Sequence, residues 1–136
     1  MGYELLPHTA DVMISAWGST VEDCLAEAVR GLVALVADVR AARPQRLVGF
    51  ACDPAPESEL LVELLDEVIF RLDTEDVVPA AVALARTTEG GLVGEFGVVP
   101  LAEVPVVGAA PKAVTRHGLR WEHTDGQFRC QVVIDV

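Results

Sequence analysis

Residues 61 to 72 place apolar side chains at the spacing of one helical face, and this segment constrains the fold most. The apolar positions follow i, i+3, i+4, i+7, i+8 and i+11: Leu61, Leu64, Leu65, Val68, Ile69 and Leu72. The opposite face is acidic: Glu59, Glu63, Asp66 and Glu67. We interpret this acidic face as a solvated surface, with a docking surface as the alternative. The stretch "RLDTED", Arg71 to Asp76, is expected to end the helix.

A second amphipathic helix is predicted over residues 20 to 37, where apolar residues again recur at helical spacing. Ser19 or Thr20 can cap it, because an acid follows three residues after each, Glu22 and Asp23 respectively. Before this helix, two unlike sets of residues alternate with the period of a β-strand: Val12, Ile14 and Ala16 on one face, and Met13, Ser15 and Trp17 on the other. Gly18 ends that strand.

Strand-like segments dominate from Val77 onward. They are "VVPAAVALAR", "GGLVGEFGVV", "KAVTRHGLRWEH" and "QFRCQVVIDV", and Thr124-Asp125-Gly126 is a hairpin signal between the last two. "LVGFAC" is a further short strand, and "PLAEVPVVGAAP" is read as a loop. The prediction is an α/β (α+β) two-layer sandwich in one domain, 1–136, with two amphipathic helices on a largely antiparallel or mixed β-sheet.

Charge is distributed unevenly along the chain. The formal net charge is -11, and residues 1 to 76 hold 15 acids against 5 bases, while residues 77 to 136 hold 6 against 5. Such a chain is repelled by phosphate backbones, and aromatic residues for base stacking make up only 5% of it. We therefore expect a basic protein partner, with RNA contacted only indirectly.

Several classes of protein are excluded by what the sequence lacks. The three cysteines, Cys24, Cys52 and Cys130, form neither a disulfide framework nor a zinc motif. There is no nucleophile elbow, phosphate-binding glycine loop or dinucleotide fingerprint, so covalent catalysis is not indicated. Without a long apolar segment, no membrane association is expected. These features favour a soluble protein of a reducing compartment, the cytoplasm.

Two acidic positions at opposite ends of the chain are candidate metal ligands. Asp11 follows the polar stretch Pro7 to Ala10, where it either ends a turn or binds a cation. Asp135 lies on the polar face of the last strand, beside the carboxylate of Val136. Oxygen ligands of this kind suit Mg²⁺, Ca²⁺ or Mn²⁺ rather than zinc. From spacing alone, terminal acids are more often simply solvated.

Three basic residues of one predicted strand form a second candidate group. Lys112, Arg116 and Arg120 are four apart, so they share one side if the strand is unbroken, and a bulge at Gly118 would remove Arg120. This side is either a solubilising face or a contact for an anion or nucleotide. His8 and His117 are either structural residues or ligands.

Four segments together resemble the archease family. They are "YELLPHTADVMISAWGST", "LLVELLDEVIFRLDTE", "KAVTRHGLRW" and "CQVVIDV", in matching order over nearly the whole chain. The chain departs from the family pattern in three places. Arg116 stands where the family commonly has Tyr, the run from Ile69 to Asp73 replaces a more aromatic one, and "PLAEVPVVGAAP" lacks a His-containing stretch.

The resemblance implies an accessory protein, not itself an enzyme, that activates the GTP-dependent RNA ligase of tRNA splicing. Archeases are understood to promote guanylylation and multiple turnover of that ligase, and a compact α/β sandwich is implied as the fold. By the same resemblance the metal-binding acids fall on Asp11 and Asp135, with main-chain oxygen near Val136. One calcium, magnesium or manganese ion is expected there.

The resemblance also suggests roles for the residues around these two acids. Lys112 corresponds to the lysine of the family's late strand, and with Arg116 it is a candidate contact for the partner or a nucleotide. Supporting roles are expected for His8, Thr9 and His117. Two other functions stay open: a stand-alone metal-dependent phosphoesterase, with His8 or His117 as general base, and a chaperone of an RNA-modifying methyltransferase.

Overall fold

A computed structural model of the chain describes residues 1–8 and 11–136, with the backbone alone for Pro7 and His8. The elements in chain order are β1 (Gly2–His8), β2 (Asp11–Gly18), α1 (Val21–Val36), β3 (Arg46–Cys52), α2 (Glu57–Glu75), β4 (Val77–Arg86), β5 (Leu92–Pro100), β6 (Ala113–Thr124) and β7 (Gln127–Asp135). A short 3-10 turn at Leu101–Glu103 follows β5. The two helices and the strand-rich second half match the sequence prediction.

The strands form two sheets in which every neighbouring pair is antiparallel. The four-stranded sheet has the order β1-β2-β7-β6, and the three-stranded sheet has the order β3-β5-β4. Helix α1 contacts β1, β2 and β7 of the first sheet and β4 of the second, whereas α2 contacts β6, β3 and β4. The predicted α+β class is confirmed, with the strands divided between two sheets where the sequence suggested one.

The two helices begin and end at residues whose local chemistry explains the boundary. Thr20 caps α1, since its side-chain oxygen accepts a hydrogen bond from the Asp23 amide at 3.0 Å. Asp76 ends α2 in the left-handed conformation, φ 53°, and its amide donates to the Leu72 carbonyl at 3.1 Å. Both helices then bury nearly all their apolar residues against the sheets.

Strand β1 is the one strand of the described chain that the sequence pattern did not predict. Pro7 and His8 of the polar stretch belong to β1, which pairs antiparallel with β2, His8 opposite Asp11 and Gly2 opposite Trp17. The connecting residues Thr9 and Ala10 lie outside the described residues. Because β1 is held by its pairing with β2, its own sequence needs no clear alternation of apolar and polar residues.

The long segment between β5 and β6 is a loop, as predicted, apart from its initial 3-10 turn. It is attached to the end of α1 by main-chain hydrogen bonds: the Asp38 amide donates to the Pro105 carbonyl at 2.9 Å, and the Val107 amide donates to the Val36 carbonyl at 2.8 Å. The three cysteines are free, as expected. No helix of the described residues is long and apolar enough to cross a membrane.

Candidate metal centre

The pairing of β2 with β7 places Asp11 and Asp135 directly opposite each other. They are Cα partners in an antiparallel register that runs without a shift to Gly18 and Phe128. Side chains at directly opposite positions have their Cβ atoms about 4.5–5.5 Å apart and project from the same face. The two ends of the chain therefore contribute adjacent carboxylates to one sheet.

These carboxylates lie on the face of the sheet that points away from the helices. Ile14 of β2 and Ile134 of β7 are fully buried on the helical side, and Asp11 and Asp135 occupy positions of opposite parity. Asp11 is half-buried and Asp135 is exposed. A ligand carried by the pair is thus accessible from outside the protein.

The next strand fixes the backbone around Asp135. Ala113 of β6 is its Cα partner on the side away from Asp11, and the Lys112 amide donates to the Asp135 carbonyl at 2.7 Å. The Lys112 side chain is exposed, and Val136, directly after Asp135, is half-buried. Lys112 and Val136 therefore lie at the same end of the sheet as the two acids.

The donor set suits a hydrated cation better than an ion fully enclosed by protein. Among the described residues there is no group of three or more His, Cys, Asp and Glu side chains placed to hold a metal. Two opposed carboxylates nevertheless match Mg²⁺, which usually keeps several waters and binds one or two carboxylates together with phosphate oxygens. Like charges directly opposite each other destabilise a strand pair, so a bound cation would also relieve repulsion.

The basic residues Lys112, Arg116 and Arg120 do not share one side, because β6 is not an unbroken strand. Its register with β7 shifts between Thr115 and Arg120, and Gly118 has φ +79°. A bulge at Gly118 was expected to remove Arg120 from this group, and the register shift does so. A left-handed φ of this kind favours glycine, which identifies the bulge.

Arg116 is engaged by α2 in this structure. Its Nη2 and Nε atoms donate to the two carboxylate oxygens of Glu59 at 2.8 and 3.2 Å. The Arg116 guanidinium holds the pKa of the Glu59 carboxyl below its usual value. A role of Arg116 in contacting a partner or nucleotide would require this ion pair to open, whereas the exposed Lys112 needs no such change.

The predicted supporting residues fall into three situations. His117 lies in the bulge with an exposed side chain, and its amide donates to the Thr115 side-chain oxygen at 3.1 Å. His8 is the backbone register partner of Asp11 in β1. Thr9 lies outside the described residues. The supporting roles of all three remain predictions.

The bulge also covers part of the outer face, a contact that was not predicted from the sequence. The Gly118 carbonyl accepts a hydrogen bond from the Gln131 side chain at 3.2 Å, and a Cβ added to Gly118 would lie 3.7 Å from a Val133 methyl. Val133 is accordingly only 1% exposed although it shares the polar face with Asp135. The sequence signal for this burial was Val133, the single apolar residue on a strand face whose other members are polar: Arg129, Gln131 and Asp135.

Sequence comparisons match the chain over nearly its full length. The family model of the Archease protein family matches residues 3–136. A probable protein archease of Mycobacterium tuberculosis is 36% identical over 137 residues, covering 99% of this chain and 75% of the relative. A protein archease of Methanopyrus kandleri is 30% identical over 143 residues, covering all of both chains.

Two solved structures have the same fold. The solution structure of protein 1598 of Methanobacterium thermoautotrophicum is 25% identical with a TM-score of 0.78, covering 99% of each chain. The crystal structure of an archease of Thermotoga maritima, described there as a possible chaperone, is 18% identical with a TM-score of 0.66, covering 98% of this chain and 96% of that one. The second likeness concerns the fold alone.

Proposed function

The chain belongs to the archease family, and from this premise we propose that it is an accessory protein of a GTP-dependent RNA ligase. In this proposal it promotes guanylylation of the ligase and restores multiple turnover during tRNA splicing and RNA repair. It is an activator and not itself the enzyme. The partner is the ligase protein, and RNA is contacted only through it.

The observation that supports this proposal is the opposition of Asp11 and Asp135 on an accessible sheet face. These two carboxylates would hold one divalent cation, Mg²⁺, Mn²⁺ or Ca²⁺, with a main-chain oxygen at Val136 as a further ligand. A bound divalent cation offsets the negative charge that develops on phosphate oxygens during nucleotidyl transfer. The few protein ligands leave coordination positions for phosphate or for groups of the ligase.

Charge supports a protein partner in place of direct RNA binding. The net charge of -11 opposes association with a phosphate backbone and favours a basic protein surface. The Lys112 amide donates to the Asp135 carbonyl, and the Lys112 side chain is exposed. An accessible cation therefore lies at the end of the sheet that carries the acidic pair. We assign it to contact with the ligase or its nucleotide.

The test is ligation by a purified GTP-dependent RNA ligase, with and without this protein. The expected result is a single round of ligation by the ligase alone and multiple rounds when this protein is added. Asp11→Ala and Asp135→Ala should each abolish both the added rounds and the added guanylylation. Asp125→Asn removes a charge at the far end of β7 and should stimulate fully.

Two outcomes would contradict the proposal. Full stimulation by both alanine variants would remove the metal-binding acids from the mechanism. Hydrolysis of phosphodiesters by this protein alone, with Mg²⁺ or Mn²⁺, and no effect on the ligase would instead indicate a stand-alone phosphoesterase.

A further inference from the structure

Strand β3 has an edge that differs from the other sheet edges of the described chain. An edge strand offers unpaired backbone groups, and proteins usually blunt it with proline, a bulge or charge. Strand β1 contains Pro7, β4 has Pro79 with a register shift beside it, and β6 has its bulge. Strand β3 forms seven consecutive pairs with β5 without a shift, has no proline, and carries its one charge at Arg46, its first residue.

A cleft of about 320 Å³ lies between β3 and the exposed face of α2. Its apolar lining includes two aromatic rings. Phe50 stacks on Phe96 with ring centroids 4.6 Å apart, and Phe70 is 54% exposed, which is unusual for so large an apolar side chain. The cleft therefore offers a hydrophobic surface directly beside a free strand edge.

The same cleft is strongly acidic on its α2 side. Glu63, Asp66 and Glu67 line it, and Arg71 offsets part of that charge through an ion pair with Glu67 at 2.9 Å. Burial, together with the nearby Glu63 carboxylate, raises the pKa of Cys52 to about 12, so its thiol stays protonated near neutral pH. The lining is thus aromatic and anionic, with no thiolate to recruit a soft metal.

We propose that β3 is a docking edge for an extended basic segment of a protein partner. The segment pairs with the free backbone groups of β3, places Lys or Arg side chains against Glu63 and Asp66, and packs apolar side chains on Phe50 and Phe70. This inference rests on the proposed function, because it names the surface by which an accessory protein would hold a basic enzyme. It is separate from the Asp11 and Asp135 site.

Charge complementarity selects a basic partner over a second copy of this chain. Pairing of two β3 edges would bring two acidic clefts together between chains that each carry a net charge of -11. Such like-charge contacts oppose association, whereas a basic segment gains from both the charges and the aromatic surface. The occupant is therefore a foreign extended segment whose cleft-facing side chains, at every second position, include both basic and apolar residues.

The probe is a fluorescein-labelled eight-residue peptide, Lys-Thr-Val-Thr-Lys-Thr-Val-Thr, which places Lys and Val on the same strand face, and its binding is followed by fluorescence anisotropy. We expect saturable binding that weakens as salt increases. Amide exchange at Leu47 to Ala51 should slow when the peptide is bound. The same peptide with Glu in place of Lys should not bind, and the Lys-containing peptide with alternate N-methylated amides should bind at least about tenfold more weakly, since its ladder donors are removed.

Variants of the chain locate the binding surface. The double substitution Glu63→Gln with Asp66→Asn and the single substitution Phe70→Ala should each weaken peptide binding by about tenfold or more. Glu89→Gln is the control. It also removes a negative charge, but from the exposed turn before β5 and outside the cleft, so binding should be unchanged. Because these side chains are exposed, the variants are expected to fold, which circular dichroism checks.

Three results would overturn the inference. Equal affinity for the N-methylated peptide would mean that charge alone attracts the probe. An equal loss with Glu89→Gln would mean that binding is not localised. A concentration-dependent dimer in sedimentation that Leu47→Lys abolishes, without peptide binding, would make the occupant a second copy. Ligase stimulation is measured independently, so failure of peptide binding would reject this edge and leave the proposed function standing.

Discussion

At the scale of single residues, Asp11 and Asp135 form a pair that a strand interface would normally avoid. Elsewhere on the same two strands the cross-strand partners are favourable, as where Arg129 lies over the Trp17 ring at 4.9 Å. The opposed carboxylates offer no such gain without a cation. Functional sites commonly keep local arrangements that reduce stability.

Replacing one member of this pair should stabilise the protein when no divalent cation is present. Asp135→Asn removes the repulsion, and we expect the free energy of unfolding to rise by about 0.2–1 kcal/mol. Urea denaturation in the presence of a chelator measures this change. Asp125→Asn, in the hairpin turn at a φ of 54° that asparagine also tolerates, should change it little. Equal stabilisation by both variants would contradict a local repulsion.

A second residue-scale prediction concerns Cys52. Its pKa of about 12 lies above the ordinary thiol value of about 8.5, so less thiolate forms and alkylation by iodoacetamide at pH 8 should be slow. Glu63→Gln should speed the reaction, because a neighbouring negative charge is removed. Mass spectrometry of the modified peptide follows both rates, and an unchanged rate in the variant would exclude the influence of Glu63.

The raised pKa of Cys52 also predicts how the stability of the protein depends on pH. A pKa that is raised on folding contributes stability fully below the unfolded-state value and loses it as the pH rises through the folded-state value. Unfolding free energy should therefore fall between about pH 8.5 and pH 12, where the unfolded chain ionises first. Cys52→Ala should show a shallower fall over this range in urea denaturation, and an identical fall would contradict the assignment.

Helices and turns could be predicted from the sequence where residues close in the chain determine their boundaries. Helix α1 begins after Thr20 because the cap is local, and the β6–β7 hairpin follows from Asp125 and Gly126, which take φ values of 54° and 71°. Strand β1 and the division of the strands into two sheets could not be predicted in this way. Both depend on which strands pair, and that is decided by contacts between distant parts of the chain.

The Thr20 cap should contribute measurably to the stability of α1. Thr20→Ala removes the acceptor for the Asp23 amide and should lower the free energy of unfolding by about 1 kcal/mol. Ser19→Ala is the matched control, because the Ser19 hydroxyl makes only a long, exposed contact of 3.4 Å with the Asp23 carboxylate. Thermal or urea denaturation compares the two, and a larger loss for Ser19→Ala would move the cap to that residue.

At the scale of the whole molecule, the two halves of the candidate site come from opposite ends of the chain. Periodicity placed Asp135 on a polar strand face but could not join it to Asp11, since antiparallel pairing of β2 with β7 is a property of the complete fold. Only the resemblance to a family linked the two residues. The acidic cleft beside β3 likewise forms only when α2 and β3 pack together, so it could not be predicted from either segment alone.

Titration calorimetry measures whether Asp11 and Asp135 bind one divalent cation. MgCl₂, MnCl₂ and CaCl₂ are titrated in turn into the wild-type chain and into Asp11→Asn, Asp135→Asn and Asp125→Asn. We expect one cation per chain for the wild type and Asp125→Asn, and none for the other two variants. No binding by the wild type, or wild-type binding by Asp11→Asn and Asp135→Asn, would contradict it.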